Sequence, residues 1–280
     1  MWVACVTVAA VIFYKDGVLL VSDSRGVMLE RPQFASSANS KVTYFDDKVK
    51  SLSSTSGDVA AVALGDEDIA TRMLNELLEN ETLLTSGSDG GLAAATLRIQ
   101  VLVADSNLAG EGGVLAAIRG ADGAPRAVEV CAASGSGKKE PAVAIREITK
   151  NTARGFDTSV QKYLDTMVGR HCPDKANMGL AEAVAIGFML EERFMRHHLE
   201  IVPGKRAVMA GGPMRMHIAC NDPASHGYGI VVDVDETRAL QGKQFKELRD
   251  YFADRIEHGN ALRLLRKERA DKSTEQKSAA

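Results

Sequence analysis

The apolar residues near the N-terminus fall into two short runs with a turn between them. Residues 8–14 read VAAVIFY and residues 18–21 read VLLV, and both runs are rich in strand-forming residues. Asp16-Gly17 between them is typical of a tight hairpin turn, because glycine accepts a positive φ freely. Neither run alternates with polar residues. The pattern therefore predicts a β-hairpin in a sheet that is covered on both faces.

Further along the chain, strand-like and helix-like patterns follow one another in blocks. Strands are predicted at 41–45, 59–64, 114–118, 127–132, 207–209, 214–220 and 230–234, with a Ser- and Thr-rich loop at 51–57. Helices are predicted from Asp66 onward, over about 141–168, and over 180–199. Residues 92–104 fit a helix, although IQVLVA within them also fits a strand.

This order of elements is not the strict strand–helix alternation of a doubly wound parallel sheet. It predicts an α+β protein in which two antiparallel sheets stack face to face with helices outside, a four-layer α/β/β/α sandwich. After the last predicted strand, Phe245, Leu248, Phe252 and Ile256 form an amphipathic stripe, followed by Leu262 and Leu265. Residues 269–280 are polar and charged and are predicted to be disordered.

Composition and charge narrow the possible functions. The chain has 280 residues, of which 45% are hydrophobic and 25% charged, and its formal net charge is -3. That balance gives no electrostatic reason to expect nucleic acid as the main partner. No apolar run is long enough to cross a membrane, and the N-terminal residues lack the pattern of a secretory signal, so we expect a cytoplasmic or nuclear protein.

Metal and phosphate motifs are weak in this sequence. The four cysteines, Cys5, Cys131, Cys172 and Cys220, form no C-x-x-C pair, which argues against a zinc site. His197-His198 near Glu200 fits the end of a helix better than a metal site. GSGKK at 135–139 lacks the spacing of a phosphate-binding loop. No metal or cofactor is therefore expected.

The N-terminal third carries a more specific signal. KDGVLLVSDSR at 15–25, a lysine before the strand at 41–45, and the acidic helix start DEDIA at 66–70 follow one another in order. This arrangement resembles the β-type subunits of the proteasome, which are N-terminal nucleophile hydrolases. The resemblance extends over about residues 7–235 and implies a helix at 92–104.

The resemblance implies a threonine-peptidase site. Thr7 matches the threonine that becomes the mature N-terminus, Asp23 the aspartate at the hairpin end, Lys41 the site lysine, and Ser136 the serine of a GSG turn. The free amine of such a threonine acts as the base for its own hydroxyl, and the lysine charge stabilises the alkoxide form. The aspartate keeps the lysine charged and oriented. Backbone N–H groups at Leu64-Gly65 would bind the oxyanion.

Each of these residues also has a purely structural interpretation. Thr7 fits an ordinary strand position, Asp23 a strand-ending turn, Lys41 a solvated strand start, and Ser136 a tight turn between glycines. Cys5 is an alternative nucleophile, but it lies two residues away from the matching position.

Several positions depart from the family. Val6 replaces the glycine that normally precedes the mature threonine, and Leu64 replaces the first glycine of the oxyanion turn. Ala207 and Ala210 stand where the family has an aspartate and a serine before Gly-Gly. The segment 138–177 is longer than usual. The sequence thus supports the fold more strongly than the activity.

The sequence leaves three function classes open. The first is a threonine endopeptidase subunit that cleaves polypeptides inside a stacked ring of proteasome α and β subunits. The second is a structural, non-catalytic β-type subunit or a diverged paralogue that lacks self-processing, and the third is a free-standing amidase of the same superfamily. The implied organisation is a short propeptide at 1–6, the hydrolase-like domain at 7–240, a C-terminal amphipathic helix or arm at 241–268, and a tail at 269–280.

Overall fold

The structure, a computed structural model, describes residues 2–5, 8–30, 41–45, 51–86, 89–105, 110–134, 142–155, 158–195, 198–202, 205–208, 210–221, 226–227 and 229–260. In chain order its strands are β1 (Trp2–Cys5), β2 (Ala9–Tyr14), β3 (Gly17–Ser22), β4 (Gly26–Glu30), β5 (Lys41–Phe45), β6 (Ser51–Ser53), β7 (Val59–Asp66), β8 (Gly110–Arg119), β9 (Pro125–Ser134), β10 (Ala142–Glu147), β11 (Thr152–Arg154), β12 (His198–Val202), β13 (Lys205–Val208), β14 (Met214–Cys220) and β15 (Gly229–Val232). Its helices are α1 (Glu67–Glu79), α2 (Glu81–Thr85), α3 (Asp89–Asp105), α4 (Ser159–His171), α5 (Leu180–Phe194), α6 (Val234–Leu240) and α7 (residues 245–260), with a 3-10 turn at Lys175–Asn177.

The strands form two large antiparallel sheets, as predicted. One sheet has the order β10-β9-β8-β7-β1-β4-β5, with β6 also paired to β7, and the other has the order β11-β2-β3-β14-β15. The strands β12 and β13 form a separate hairpin. The chain crosses from the smaller sheet to the larger one directly after β3, through residues 23–25.

Three apolar clusters separate the layers. Residues of α1, α2 and α3 pack on β7, β8 and β9 in the first cluster, and residues of β2 and β3 face β7 and β8 in the second. The third cluster joins β2, β3 and β14 to α4, α5 and α7. The layers are therefore helices, sheet, sheet and helices, and the predicted helix over 92–104 is confirmed within α3.

The predicted hairpin is confirmed, but the reason for its glycine was wrong. The strands β2 and β3 pair from Ala9↔Ser22 to Tyr14↔Gly17, so Lys15 and Asp16 form the turn. Gly17 has no positive φ. A Cβ there would lie 2.5 Å from the Tyr14 hydroxyl and 2.6 Å from the Ala219 carbonyl oxygen. Close approach of neighbouring strands, rather than turn conformation, requires the glycine.

Two of the predicted helices were wrong in extent. The stretch 141–168 contains β10 and β11 before α4 begins at Ser159. In β10 the apolar Val143 and Ile145 alternate with exposed residues, a period of two that suits a strand paired with β9. The helix predicted over 180–199 ends at Phe194, and His198 and Leu199 belong instead to β12, which pairs with β13.

The C-terminal stripe forms α7 and is already covered by its own chain. Leu248, Phe252 and Ile256 are buried in the cluster against the five-stranded sheet, and Phe245 packs beside them. Phe252 lies 5.7 Å from Phe188 of α5, measured between ring centroids. This face of α7 therefore belongs to the core of the chain. Leu262, Leu265 and the predicted tail lie outside the described residues.

Candidate functional site

Asp23 lies at the end of β3, where the chain leaves one sheet for the other, and it is fully buried. Its Oδ1 accepts a hydrogen bond from the backbone N–H of Val8 (3.2 Å). Its Oδ2 accepts from the N–H groups of Arg25 (3.2 Å) and Gly211 (3.0 Å). Three backbone donors thus fix the carboxylate in one orientation.

The loop at Gly211-Gly212 meets the Asp-Ser-Arg turn directly. The N–H of Ser24 donates to the Gly211 carbonyl at 3.1 Å, and the Ser24 hydroxyl donates to the Pro213 carbonyl at 2.5 Å. A Cβ on Gly211 would lie 2.4 Å from the Arg25 guanidinium carbon. Gly212 has a φ of 72°, which favours glycine. These contacts explain why both positions are glycine.

The region around Thr7 is described on either side but not at the residue itself. Thr7 and Val6 lie outside the described residues. The next residue, Val8, is bonded to Asp23 twice, since the N–H of Asp23 also donates to the Val8 carbonyl at 3.3 Å. The residue after Thr7 in the chain is therefore held against the predicted site aspartate.

The residues before Thr7 form a strand inside the larger sheet. In β1, Ala4 lies opposite Val27 of β4 and Asp66 of β7, and Cys5 lies opposite Gly65. Gly65, the predicted oxyanion glycine, has a φ of 83°, a left-handed conformation that suits glycine. Leu64, beside it, is half-buried in β7. The segment predicted as a propeptide thus lies next to the predicted oxyanion turn.

The pairing register of β5 with β4 places the backbone of Lys41 away from the end of β4 that follows Asp23. Lys41 pairs with Glu30, whereas Phe45 pairs with Gly26, the residue of β4 nearest Asp23 in the chain. Glu30 lies four residues, or about 13 Å, along β4 from Gly26. The side chain of Lys41 lies outside the described part of the structure. Its predicted role in the site stays a prediction.

A second lysine, Lys50, directly precedes β6, which pairs with the same edge of β7 as β1 does. Ser51 of β6 pairs with Val62 of β7, and Cys5 of β1 pairs with Gly65 on the same edge of β7. These two strand ends are therefore roughly 10 Å apart along β7. Lys50 immediately precedes Ser51 in the sequence. Lys50 itself lies outside the described residues, so it is a second candidate for the site lysine that rests on its place in the chain alone.

The remaining predicted residues fall in different places. Ser136 lies outside the described residues, which end at Ser134 of β9 and resume at Ala142. Ala210 is fully buried beside Gly211, and Ala207 lies in β13. Neither alanine can supply the carboxylate or hydroxyl that the family pattern has there.

A pocket of about 310 Å³ lies on the helix side of this region, between α5, α6 and the Gly211-Gly212 loop. Arg25 and Glu192 contribute charged groups to its wall, and Met195 and Val234 contribute apolar ones. Its volume is near the lower end of those that hold small ligands. Arg25 lines the pocket and packs against Gly211, so the pocket adjoins the Asp23 turn.

His217 connects the two sheets near the same end of the sandwich. Its Nδ1 lies 2.9 Å from the Ser53 hydroxyl, and its Nε2 lies 3.2 Å from the Ser51 hydroxyl. Burial, with a smaller contribution from the positive charge of Arg215, lowers the pKa of His217 to about 4. The imidazole is therefore neutral at pH 7 and bonded to both serines.

This low pKa predicts a pH-dependent stability. An unfolded chain binds the His217 proton at its ordinary pKa of about 6.5, so the native state loses stability as the pH falls from about 6.5 to 4. The loss attributable to His217 is about 3 kcal/mol below pH 4. Urea unfolding at several pH values in this range measures how the free energy of unfolding depends on pH. His217→Gln should remove the part of this pH dependence that is due to His217. His258→Gln, at an exposed position of α7, should keep it. An unchanged slope in His217→Gln would contradict the assignment.

No cluster of three or more metal-ligating side chains occurs among the described residues. His198 lies in β12 and not at a helix end, and His197 lies outside the described residues. Within the described ranges, no helix has both the length and the apolarity to cross a bilayer.

Comparison with known proteins adds no identification. Neither a protein-family model nor a curated protein matches this chain.

Proposed function

We propose that this chain has an N-terminal nucleophile hydrolase fold and is a proteasome-like β-type subunit that cleaves polypeptides with Thr7 as nucleophile. One observation supports the proposal above all others. The chain on the two sides of the Val6–Thr7 bond contacts the two predicted catalytic elements: Cys5 pairs with Gly65, and Val8 is bonded to Asp23. These contacts bring together residues that are distant in sequence.

The hydrogen bonds of Asp23 give a second line of support for the match between this chain and the family. The family pattern has a Gly-Gly pair late in the chain, matched here by Gly211-Gly212. The Gly211 N–H donates to Asp23 although the two residues are 188 positions apart. Two motifs that the resemblance matches at distant positions thus meet at one carboxylate.

The proposed chemistry uses a free Thr7 amine. An α-amino group has a pKa of about 7.7–8.0, so at neutral pH its unprotonated fraction can accept the Thr7 hydroxyl proton. The Thr7 Oγ forms a bond to the substrate carbonyl carbon, and N–H groups at Leu64 and Gly65, near the end of β7, stabilise the oxyanion. The C–N bond then breaks, the leaving amine takes the proton, and water hydrolyses the acyl ester. Asp23 orients a lysine ammonium that stabilises the alkoxide form.

Strand β1 indicates how a polypeptide substrate would bind. It lies between β4 and β7 and pairs antiparallel with both. Cleavage between Val6 and Thr7, followed by release of residues 1–6, would leave two strand edges facing a gap. An extended polypeptide can add to such edges through main-chain hydrogen bonds. The predicted propeptide would then occupy the place of a substrate.

A second candidate is a structural β-type subunit that is never processed. Ala207 and Ala210 lack the polar groups of the family, and Val6 is bulkier than glycine at the cleavage point. The pairing of Lys41 with Glu30 also favours this candidate, because it places the Lys41 backbone away from the end of β4 that is nearest Asp23. In both candidates the partners are α- and β-type subunits of a ring assembly.

The intact mass of the purified, assembled protein tests the proposal. We expect a chain that begins at Thr7 and hydrolyses fluorogenic peptides, and Thr7→Ala should retain Val6–Thr7 and lose hydrolysis by at least a thousandfold. Thr7→Ser, which keeps a hydroxyl, should retain part of both activities. Comparing Lys41→Ala with Lys50→Ala identifies the lysine that serves the site. A wild-type mass that retains residues 1–6, with hydrolysis unchanged by Thr7→Ala, would favour the structural subunit.

A further inference from the structure

A row of four residues crosses the five-stranded sheet near the Asp23 end. Ala9, Ser22, Arg215 and Val231 lie directly opposite one another on β2, β3, β14 and β15. Ala9 and Ser22 are fully buried, whereas Val231 on the edge strand is 45% exposed. The row therefore leads from the interior of the sandwich to solvent.

This row faces the larger sheet. Leu20 of β3 and Ala219 of β14 belong to the apolar cluster between the sheets. Side chains two residues apart on a strand share a face, so Ser22 shares the face of Leu20 and Arg215 that of Ala219. His217, on the same face of β14, reaches Ser51 and Ser53 in the larger sheet. Arg215 and Ser22 thus project into the space between the sheets.

Both polar groups lack partners there. The Ser22 Oγ and the Arg215 Nε are buried, and neither has a hydrogen-bond partner in the described part of the structure. Arg215 also forms no ion pair among the described residues. Asp23 follows Ser22 directly, but its carboxylate accepts the N–H groups of Val8, Arg25 and Gly211. Buried donors without partners are rare in native proteins, and each indicates a missing acceptor.

We propose that Arg215 and Ser22 hold a small monovalent anion, of the size and charge of chloride, between the two sheets. The Arg215 Nε–H and the Ser22 hydroxyl are both donors, and the guanidinium is always charged. Directly opposed residues on antiparallel strands have Cβ atoms about 5 Å apart, so both donors can reach one ion. The neighbours Ala9 and Leu20 offer no further donors, which favours a single charge that one guanidinium neutralises. This site is independent of the proposed peptidase activity.

The dependence of stability on chloride tests the site. The full-length protein is unfolded with urea at chloride concentrations of about 1 and 100 mM, with gluconate keeping the ionic strength constant. For a dissociation constant of about 10 mM, the unfolding equilibrium constant should fall roughly tenfold. Arg215→Met and Ser22→Ala should abolish this dependence. Arg98→Met should retain it, because Arg98 lies on α3 and pairs with Glu76. Equal chloride dependence in the wild type and both site variants would overturn the proposal.

A second measurement does not depend on the variants folding. Crystals of the wild-type protein grown in bromide should show an anomalous peak in contact with both the Arg215 Nε and the Ser22 Oγ. Arg215→Lys keeps the charge but lacks Nε, and the peak should weaken. A water molecule at this position in bromide, without anomalous signal, would overturn the proposal.

Discussion

Asp23→Asn is expected to lower the free energy of unfolding by about 3 kcal/mol. Both carboxylate oxygens of Asp23 accept backbone N–H groups, so an asparagine NH₂ must face at least one of those donors. The replacement leaves a buried N–H without an acceptor and removes the charge from the remaining hydrogen bonds. Urea unfolding measures the loss. The same variant should abolish processing at Val6–Thr7 under the proposed function.

The matched control lies at the other end of the same hairpin. Asp16 is exposed in the turn between β2 and β3, so Asp16→Asn should change stability by less than about 0.5 kcal/mol. Equal stability of the Asp23→Asn and Asp16→Asn variants would show that the carboxylate does not hold the turn.

Phe252→Ala is expected to cost about 4 kcal/mol, the range for truncating a buried aromatic side chain. Phe252 is fully buried and contacts Phe188 of α5, so the truncation leaves a cavity between α7 and α5. Urea unfolding of the isolated chain, at concentrations too low for assembly, measures this loss.

The adjacent Tyr251 gives the comparison on the same helix. The residue is 38% exposed and its hydroxyl donates to Glu236, so Tyr251→Phe should cost about 1 kcal/mol. If Phe252→Ala were neutral in the isolated chain and harmful only in an assembly, the stripe on α7 would be an arm that docks on a neighbour.

The parts of the fold that depend on local pattern were predictable from the sequence. The hairpin of β2 and β3 has two continuous apolar runs with a turn signal between them, and the helix α1 and the stripe of α7 have a clear helical period. The β10 strand was missed because only Val143 and Ile145 mark its alternation, and the segment around them is polar enough to fit a surface helix.

The candidate site was harder to predict because it depends on pairing between distant segments. Nothing in the pattern of residues 2–5 shows that they insert between β4 and β7. The contact between Gly211 and Asp23 spans most of the chain, and only the family resemblance connected the two motifs beforehand. Strand register also decides the position of Lys41, and a one-dimensional spacing cannot show register.

The contact between Asp23 and Gly211 also limits when this region can exist during synthesis. Asp23 is made early, but one of its three donors is added 188 residues later. A nascent chain on the ribosome therefore lacks the completed carboxylate site until the strands after α5 have emerged and docked. Such a long sequence separation slows folding, because the loop must close before the contact contributes. Any chemistry that needs this site is thereby postponed until most of the chain has been made.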